Sequence, residues 1–208
     1  MDAPQATAWI SDARFHPFLT ETGGNHARAV ALYAWHVQLS AACSATIHNF
    51  EVLVRNAIDH ELGWGQPQSP IRDTWLMDFS ILEPNGVKQV ITAVERLEKG
   101  KDITRGRIVA GVSFGFWAGL FSKNYEEVWR HRLRHAFPHG SIMRKDLTEP
   151  MRLIQRFRNR VAHHDCLLAQ PVAERIGDMK RIAGWIDPDA EAWLDEQCSV
   201  AALLASKP

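Results

Sequence analysis

The sequence predicts an all-α fold in a single domain, residues 1–208. Three observations carry that expectation. Apolar residues recur at three- and four-residue steps over long stretches, residues that start and stop helices stand at the ends of those stretches, and no segment alternates polar and apolar positions as a half-buried strand does. With 46% apolar and 23% charged residues, the chain is long enough to bury a real core and is composed like a folded protein.

Taken in order, Asn25 follows Gly23 and Gly24 and caps a helix running to about Leu62, where Gly63, Trp64 and Gly65 stop it. Cys43, Ile47, Phe50, Val54 and Ile58 give that helix one buried stripe. Pro67 and Pro70 make residues 66–73 a loop, followed by a short helical piece over residues 74–79. Pro84-Asn85-Gly86 opens a helix with Val87, Val90, Ile91, Val94 and Leu97 on one face and Gly100 as its stop. The apolar, glycine-rich stretch 104–121 reads as closely packed helix with a break near Val112 and Ser113. Asn124 caps a helix to Phe137, ended by Pro138. A helix from Asp146 or Thr148 to His163 comes next, then one from Pro171 to Trp185. A last one starts at Asp187-Pro188, with Asp as cap and Pro in the first turn. The expected architecture is a bundle of two long helices able to pair antiparallel, with shorter ones around them.

Several function classes lose support. The eight tryptophans are spread along the chain, which favours core and interface packing over a base-stacking platform. Three cysteines without a Cys-x-x-Cys spacing disfavour a disulfide scaffold and structural zinc. His131 and His135 stand one helical turn apart but lack a third ligand, so no metal and no cofactor is expected. A phosphate-binding Gly-x-x-x-x-Gly-Lys-Ser/Thr loop is missing. Neither a basic-then-apolar leader nor an eighteen-residue apolar run occurs, so the expectation is a cytoplasmic protein with no membrane partner.

A net charge of zero hides an asymmetry. Residues 130–164 hold nine Lys/Arg against two acids, a balance of +7, together with five of the ten histidines; the remainder holds 15 basic and 22 acidic residues. A phosphate-backbone partner favours such a block, and so does a complementary acidic face within the same protein. Inside the block stands Arg158-Asn159-x-x-x-His163. An arginine to hold a phosphate, an amide to orient and an imidazole to move protons are groups that cut RNA without a metal. His163 near a helix end also suits the helix dipole with no catalytic role.

Helix geometry divides these groups. At about 100° per residue from Leu147, Ile154 falls at about −20°, Val161 at about −40° and Phe157 at about −80°. Arg156, Asn159, Arg160 and His163 fall between about 120° and 220°, on the open side, whereas Arg158 falls at about +20°, in the apolar stripe. An arginine placed there needs a partner. Glu51, at about +40° from Ile47 on the first long helix, is the predicted one; its alternative is the one-turn pair with Arg55. Arg158 and His163 lie about 140° apart, so two copies of the helix meeting at a cleft are needed to present both to one phosphate.

The Arg-Asn-x-x-x-His helix with its doubled His163-His164 resembles the HEPN superfamily (higher eukaryotes and prokaryotes nucleotide-binding), and more narrowly the bacterial Abi-like proteins of abortive phage infection. The likeness runs in order through Ala13-Arg14-Phe15, Phe18-Leu19, Leu32-Tyr33-x-Trp35 and Phe50-Glu51-Val52. It continues through Arg55-Asn56-Ala57-Ile58, Phe116-Trp117-x-Gly119-Leu120, Tyr125-Glu126, residues 156–164 and Gly184-Trp185-Ile186. The resemblance implies an HEPN-like helical bundle forming a homodimer, whose paired motif helices line an RNA cleft and act as a metal-independent endoribonuclease. Arg158, Asn159 and His163 are the implied catalytic residues. His164 and Glu51 are supporting candidates, and Arg152, Arg156 and Arg160 the RNA-binding ones. The expected products are a 2′,3′-cyclic phosphate and a 5′-hydroxyl, and the expected role is a toxin of phage defence, with an antitoxin (protein or RNA) as a further partner. The alternative is a catalytically inactive module that binds RNA or a partner toxin. Arg55-Asn56-x-x-x-His60 matches the same pattern in the first long helix, where Asp59 stands beside the histidine; it is read mainly as packing.

Overall fold

The computed structural model describes residues 3–97 and 102–208, and every regular element among them is helical. The α-helices are α1 (Ala3–Ile10), α2 (Asp12–Glu21), α3 (His26–Leu62), α4 (Pro84–Glu95), α5 (Arg105–Gly111) and α6 (Phe114–Gly119). They continue with α7 (Glu126–His131), α8 (Arg144–Ala162), α9 (Val172–Ile186), α10 (Pro188–Glu196) and α11 (Val200–Ala205). None of the described helices is long and apolar enough to cross a membrane.

Helix α3 organises the rest. Its 37 residues span about 55 Å, and α2, α8, α9, α10 and α11 all pack on it. The predicted ends are present. Asn25 Oδ1 accepts the N–H of Arg28 at 3.1 Å, and the N–H of Gly63 donates to the Asp59 carbonyl at 2.9 Å. A Cβ on Gly63 would lie 2.5 Å from Nη1 of Arg105, so only glycine lets that guanidinium close over the helix end. The predicted stripe of Cys43, Ile47, Phe50, Val54 and Ile58 is buried. The indole N–H of Trp35 donates to the Leu203 carbonyl at 2.8 Å and ties α11 to the first half of α3.

Beyond the second half of α3 lies an aromatic cluster. Trp75, Phe116 and Trp117 stand with ring centroids 4.9 to 6.1 Å apart, and all three are buried. Trp35 and Trp129 join them in the core, while Trp9, Trp64 and Trp193 are exposed. The break expected near Val112 and Ser113 separates α5 from α6.

Three expectations about elements are corrected. Residues 74–79 form a single 3-10 turn, Trp75–Met77, preceded by another at Ile71–Asp73. In α4 the buried residues are Gly86, Val87, Val90 and Ala93, so Ile91 is exposed and the helix stops at Glu95; Gly100 lies outside the described residues. Asn124 does not cap a helix to Phe137. It sits in a 3-10 turn, α7 is six residues long, and Arg132 breaks the chain before a further 3-10 turn, Leu133–Ala136. In a continuous helix Trp129 and Phe137 would be about 12 Å apart along the axis. The break brings their rings to 6.0 Å and sets Phe137 5.7 Å from Phe121, closing an aromatic group that straight helix would have splayed.

Candidate functional site

Helix α8 starts at Arg144, because Asp146 is not the cap itself but reaches back to accept the N–H of Met143 at 2.8 Å. Leu147, Met151, Ile154, Phe157 and Val161 form its buried face. His163 is its C-terminal cap, donating its backbone N–H to Asn159 at 2.9 Å. The chain then closes the helix in a fixed pattern: the N–H of His164 donates to Val161 at 3.1 Å, and that of Asp165 to Arg160 at 2.9 Å. This closure needs a left-handed residue in the middle, a place usually held by glycine or asparagine. Here His164 holds it, with φ 57°. The left-handed region costs a residue with a Cβ about 1 kcal/mol or more. Arg14, 150 residues away on α2, secures the turn by donating from Nη1 to the His164 carbonyl at 2.8 Å.

The pairing predicted from helix angles is present. Arg158 Nε donates to Glu51 Oε1 at 2.9 Å, and the one-turn pair of Glu51 with Arg55 does not form. Both side chains are partly exposed, so the pair contributes on the order of 1 kcal/mol at most. Its geometric effect is larger. Glu51 engages Nε alone, leaving the two terminal nitrogens of Arg158 uncommitted. Asn159 and His163 are exposed, and among the described residues no hydrogen bond or ion pair joins the side chains of Arg158, Asn159 and His163.

The three flanking arginines differ. Arg152 pairs with Glu149, Arg160 meets Asp165 at 3.7 Å, and Arg156 is exposed with no ion pair among the described residues. Elsewhere in the basic block, Glu126 and Glu127 hold Arg130, and Glu126 holds Arg144 at 2.8 Å. The block is therefore partly neutralised by acids folded against it, with Arg132, Arg134 and Lys145 left without ion pairs among the described residues.

His164, unlike His163, lines a cavity of about 1030 Å³ between α2, α3 and the turn after α8. Arg14, Phe18, Tyr33, Ser40, Ser44 and Asp165 line it too. His36 is among its lining residues and is only 6% exposed. Its Nε2 accepts the N–H of Leu167 at 3.0 Å, which places the ring proton on Nδ1. Nδ1 makes no well-formed hydrogen bond among the described residues. Burial pushes the imidazole below its ordinary value; the Asp165 carbonyl, close enough to polarise the ring without a well-formed bond, works against this, and the charge of Arg14 adds to it. His36 is thus a buried imidazole whose Nδ1–H faces the Asp165 carbonyl without a well-formed bond.

The second match, Arg55-Asn56-x-x-x-His60, has other surroundings. Asp59 accepts the indole N–H of Trp75 at 2.8 Å and faces Arg105 Nε at 3.3 Å, while Arg105 Nη1 donates to the Gly63 carbonyl at 2.8 Å. His60 lies against exposed Trp64, ring centroids 5.1 Å apart. Nε of Arg55 is buried with no hydrogen-bond partner among the described residues.

The cavity and its residues Arg14, Tyr33, His36, Ser40 and Ser44 were not singled out by spacing. One signal was present: His36 stands in the apolar stripe between Leu32, Leu39 and Cys43, where a polar ring needs a reason. Among the described residues no three His, Cys, Asp or Glu side chains converge as a metal site. No family model, curated protein or solved structure matches the chain.

Proposed function

We propose that the protein is a metal-independent endoribonuclease of the HEPN type, with its site shared across a homodimer and its biological role that of a toxin arresting growth on phage infection. The observation that carries this reading is the Glu51–Arg158 contact at 2.9 Å. It anchors an arginine by Nε alone, on a helix that ends in two exposed histidines, and leaves its terminal nitrogens for a phosphate. An antiparallel pairing of α3 with α8 belongs to the same reading; it is supported by Glu51 meeting Arg158 while His36, earlier on α3, accepts from Leu167 in the turn after α8.

In this reading the 2′-hydroxyl of a ribose attacks the adjacent phosphorus and the bond to the next 5′-oxygen breaks, leaving a 2′,3′-cyclic phosphate and a 5′-hydroxyl. His163 takes or gives the proton, Arg158 stabilises charge on the phosphoryl oxygens, and Asn159 holds substrate or backbone in register. His164 is the supporting imidazole, and Arg152, Arg156 and Arg160 follow the RNA backbone. An antitoxin, protein or RNA, belongs to the same reading.

A second reading has its own observation. With Arg152, Arg158 and Arg160 each facing a carboxylate, a module that binds RNA or a partner toxin without cutting is consistent with the partly neutralised block. The experiment that separates the two is incubation of mixed RNA with the purified protein in EDTA, beside His163→Ala and Arg158→Ala. Cleavage by wild type that both substitutions abolish supports the nuclease. Tight RNA binding without cleavage supports the binding module, and equal cleavage by all three removes these residues from the site.

A further inference from the structure

We infer that the cavity between α2, α3 and the His164 turn is a base pocket, which takes one unstacked nucleobase of an RNA strand while Arg14 holds the adjoining phosphate. The inference rests on the ribonuclease reading for its choice of RNA over other nucleotides, and its test is built so that either can fail alone.

The walls argue for a flat, edge-polar ligand. On the outward side of α3, Val37, Ser40, Ala41 and Ser44 follow at helical steps of three and four, and all line the cavity. Val37 is 49% exposed, an apolar residue left facing open space. Half-buried Tyr33 adds aromatic surface, its ring set edge-to-face at 5.2 Å against buried Phe18. A base offers apolar faces to such walls and a row of donors and acceptors at its edge, which serine hydroxyls meet because they both donate and accept. Proteins that read single-stranded RNA seat splayed bases against aromatic side chains in this manner. At about 1030 Å³ the cavity accommodates a whole nucleotide unit.

Charge and hydrogen bonding point the same way. Arg14 is exposed, spends one donor on the His164 carbonyl and has no carboxylate partner among the described residues. The one carboxylate lining the cavity, Asp165, faces Arg160 at 3.7 Å. His36, only 6% exposed, borders the cavity as a buried imidazole beside the Asp165 carbonyl, so its ring senses what fills the space. His164, held in the left-handed region, is exposed and lines the cavity, next in sequence to His163. Strain of this kind persists where the surrounding structure holds it, and here Arg14 does.

The test follows the histidine ring signals of the full chain by NMR during titration with 5′-AMP, GMP, CMP and UMP. At least one mononucleotide should shift His36 and His164 saturably, where ribose 5-phosphate and inorganic phosphate do not saturate. Ala41→Trp, on the exposed side of α3, should weaken that binding at least tenfold with the circular dichroism spectrum and Tm retained; Ser44→Phe serves the same purpose should Ala41→Trp not fold. Arg14→Gln should weaken mononucleotides at least tenfold while sparing the nucleoside. No shift by any mononucleotide, the same shifts with phosphate alone, or unchanged binding to the filled variants would each overturn the pocket. A trinucleotide that competes for the site assigns it to RNA; one that is excluded assigns it to free nucleotides and overturns the RNA assignment. Mononucleotide binding without any RNA cleavage by wild type would retain the pocket and remove the nuclease. Unaltered cleavage sites and rates in both filled variants would do the reverse.

Discussion

Two helices of this protein end on the same six-residue pattern, and each end is closed by an arginine brought from elsewhere in the chain. At the end of α3, Arg105 donates to the Gly63 carbonyl at 2.8 Å; at the end of α8, Arg14 donates to the His164 carbonyl at 2.8 Å. The likeness stops there. Arg105 is nearly buried and shares Asp59 with the indole of Trp75, so the Asp59 side of that helix end is filled by the fold itself. Arg14 is exposed, pairs with no carboxylate among the described residues, and lines a cavity. The closing residue differs too: a glycine at one end, a left-handed histidine at the other. A short pattern therefore becomes a candidate site through what its helix end faces, and the two ends can be set against each other by experiment.

The largest expected effect is on RNA cleavage. His163→Ala should lower the rate at least about 100-fold, whereas His60→Ala should change it no more than about twofold. Comparable losses from both would make the end of α3 part of the site. Next in size is stability. Asp59→Ala leaves Arg105 with its guanidinium largely buried and no carboxylate, and should lower the free energy of unfolding in urea by about 2–3 kcal/mol. Asp165→Ala, which removes a half-exposed pair with Arg160 at the other end, should cost about 0.5 kcal/mol or less. Equal losses would mean that the end of α8 is as firmly packed as that of α3.

The smaller effects concern the two histidines at the cavity. His36 titrates below its ordinary 6.5 in the folded chain. Above pH 6.5 both folded and unfolded forms carry it neutral; as pH falls below that, the unfolded chain takes up the proton first and stability is lost until the folded value is reached. The slope reaches at most about 1.4 kcal/mol per pH unit, and His36→Gln should remove this contribution from the pH dependence of urea unfolding. His164→Gly should do the unusual thing of stabilising the fold while impairing cleavage. Relief of the left-handed strain outweighs the extra backbone freedom of glycine by about 0.5 kcal/mol. A destabilised His164→Gly protein would show that the imidazole packs for structure.

How much of this was legible in the sequence follows the reach of helical arithmetic. Caps such as Asn25 and Asp187 accept the backbone N–H of residues two or three positions ahead, so they read locally. The Glu51–Arg158 contact was legible because two charges each fell inside an apolar stripe, and each needed the other. The break at Arg132 was not, because its cause is the folding of Phe137 back onto Trp129 and Phe121. Nor was the cavity, since it is bounded by α2, α3 and the turn after α8, which meet only in three dimensions. His36 was the residue that carried a trace of it, a polar ring in an apolar face.

The central claim is that Arg158 and His163, on different sides of α8, act on one phosphate only across two copies of the chain. Mixing separately inactive Arg158→Ala and His163→Ala proteins, allowing subunits to exchange, and assaying RNA cleavage in EDTA tests it directly. In a two-fold dimer each mixed pair rebuilds one intact site, so activity should return to about a quarter of wild type. A mixture as inactive as its two components would contradict a shared site.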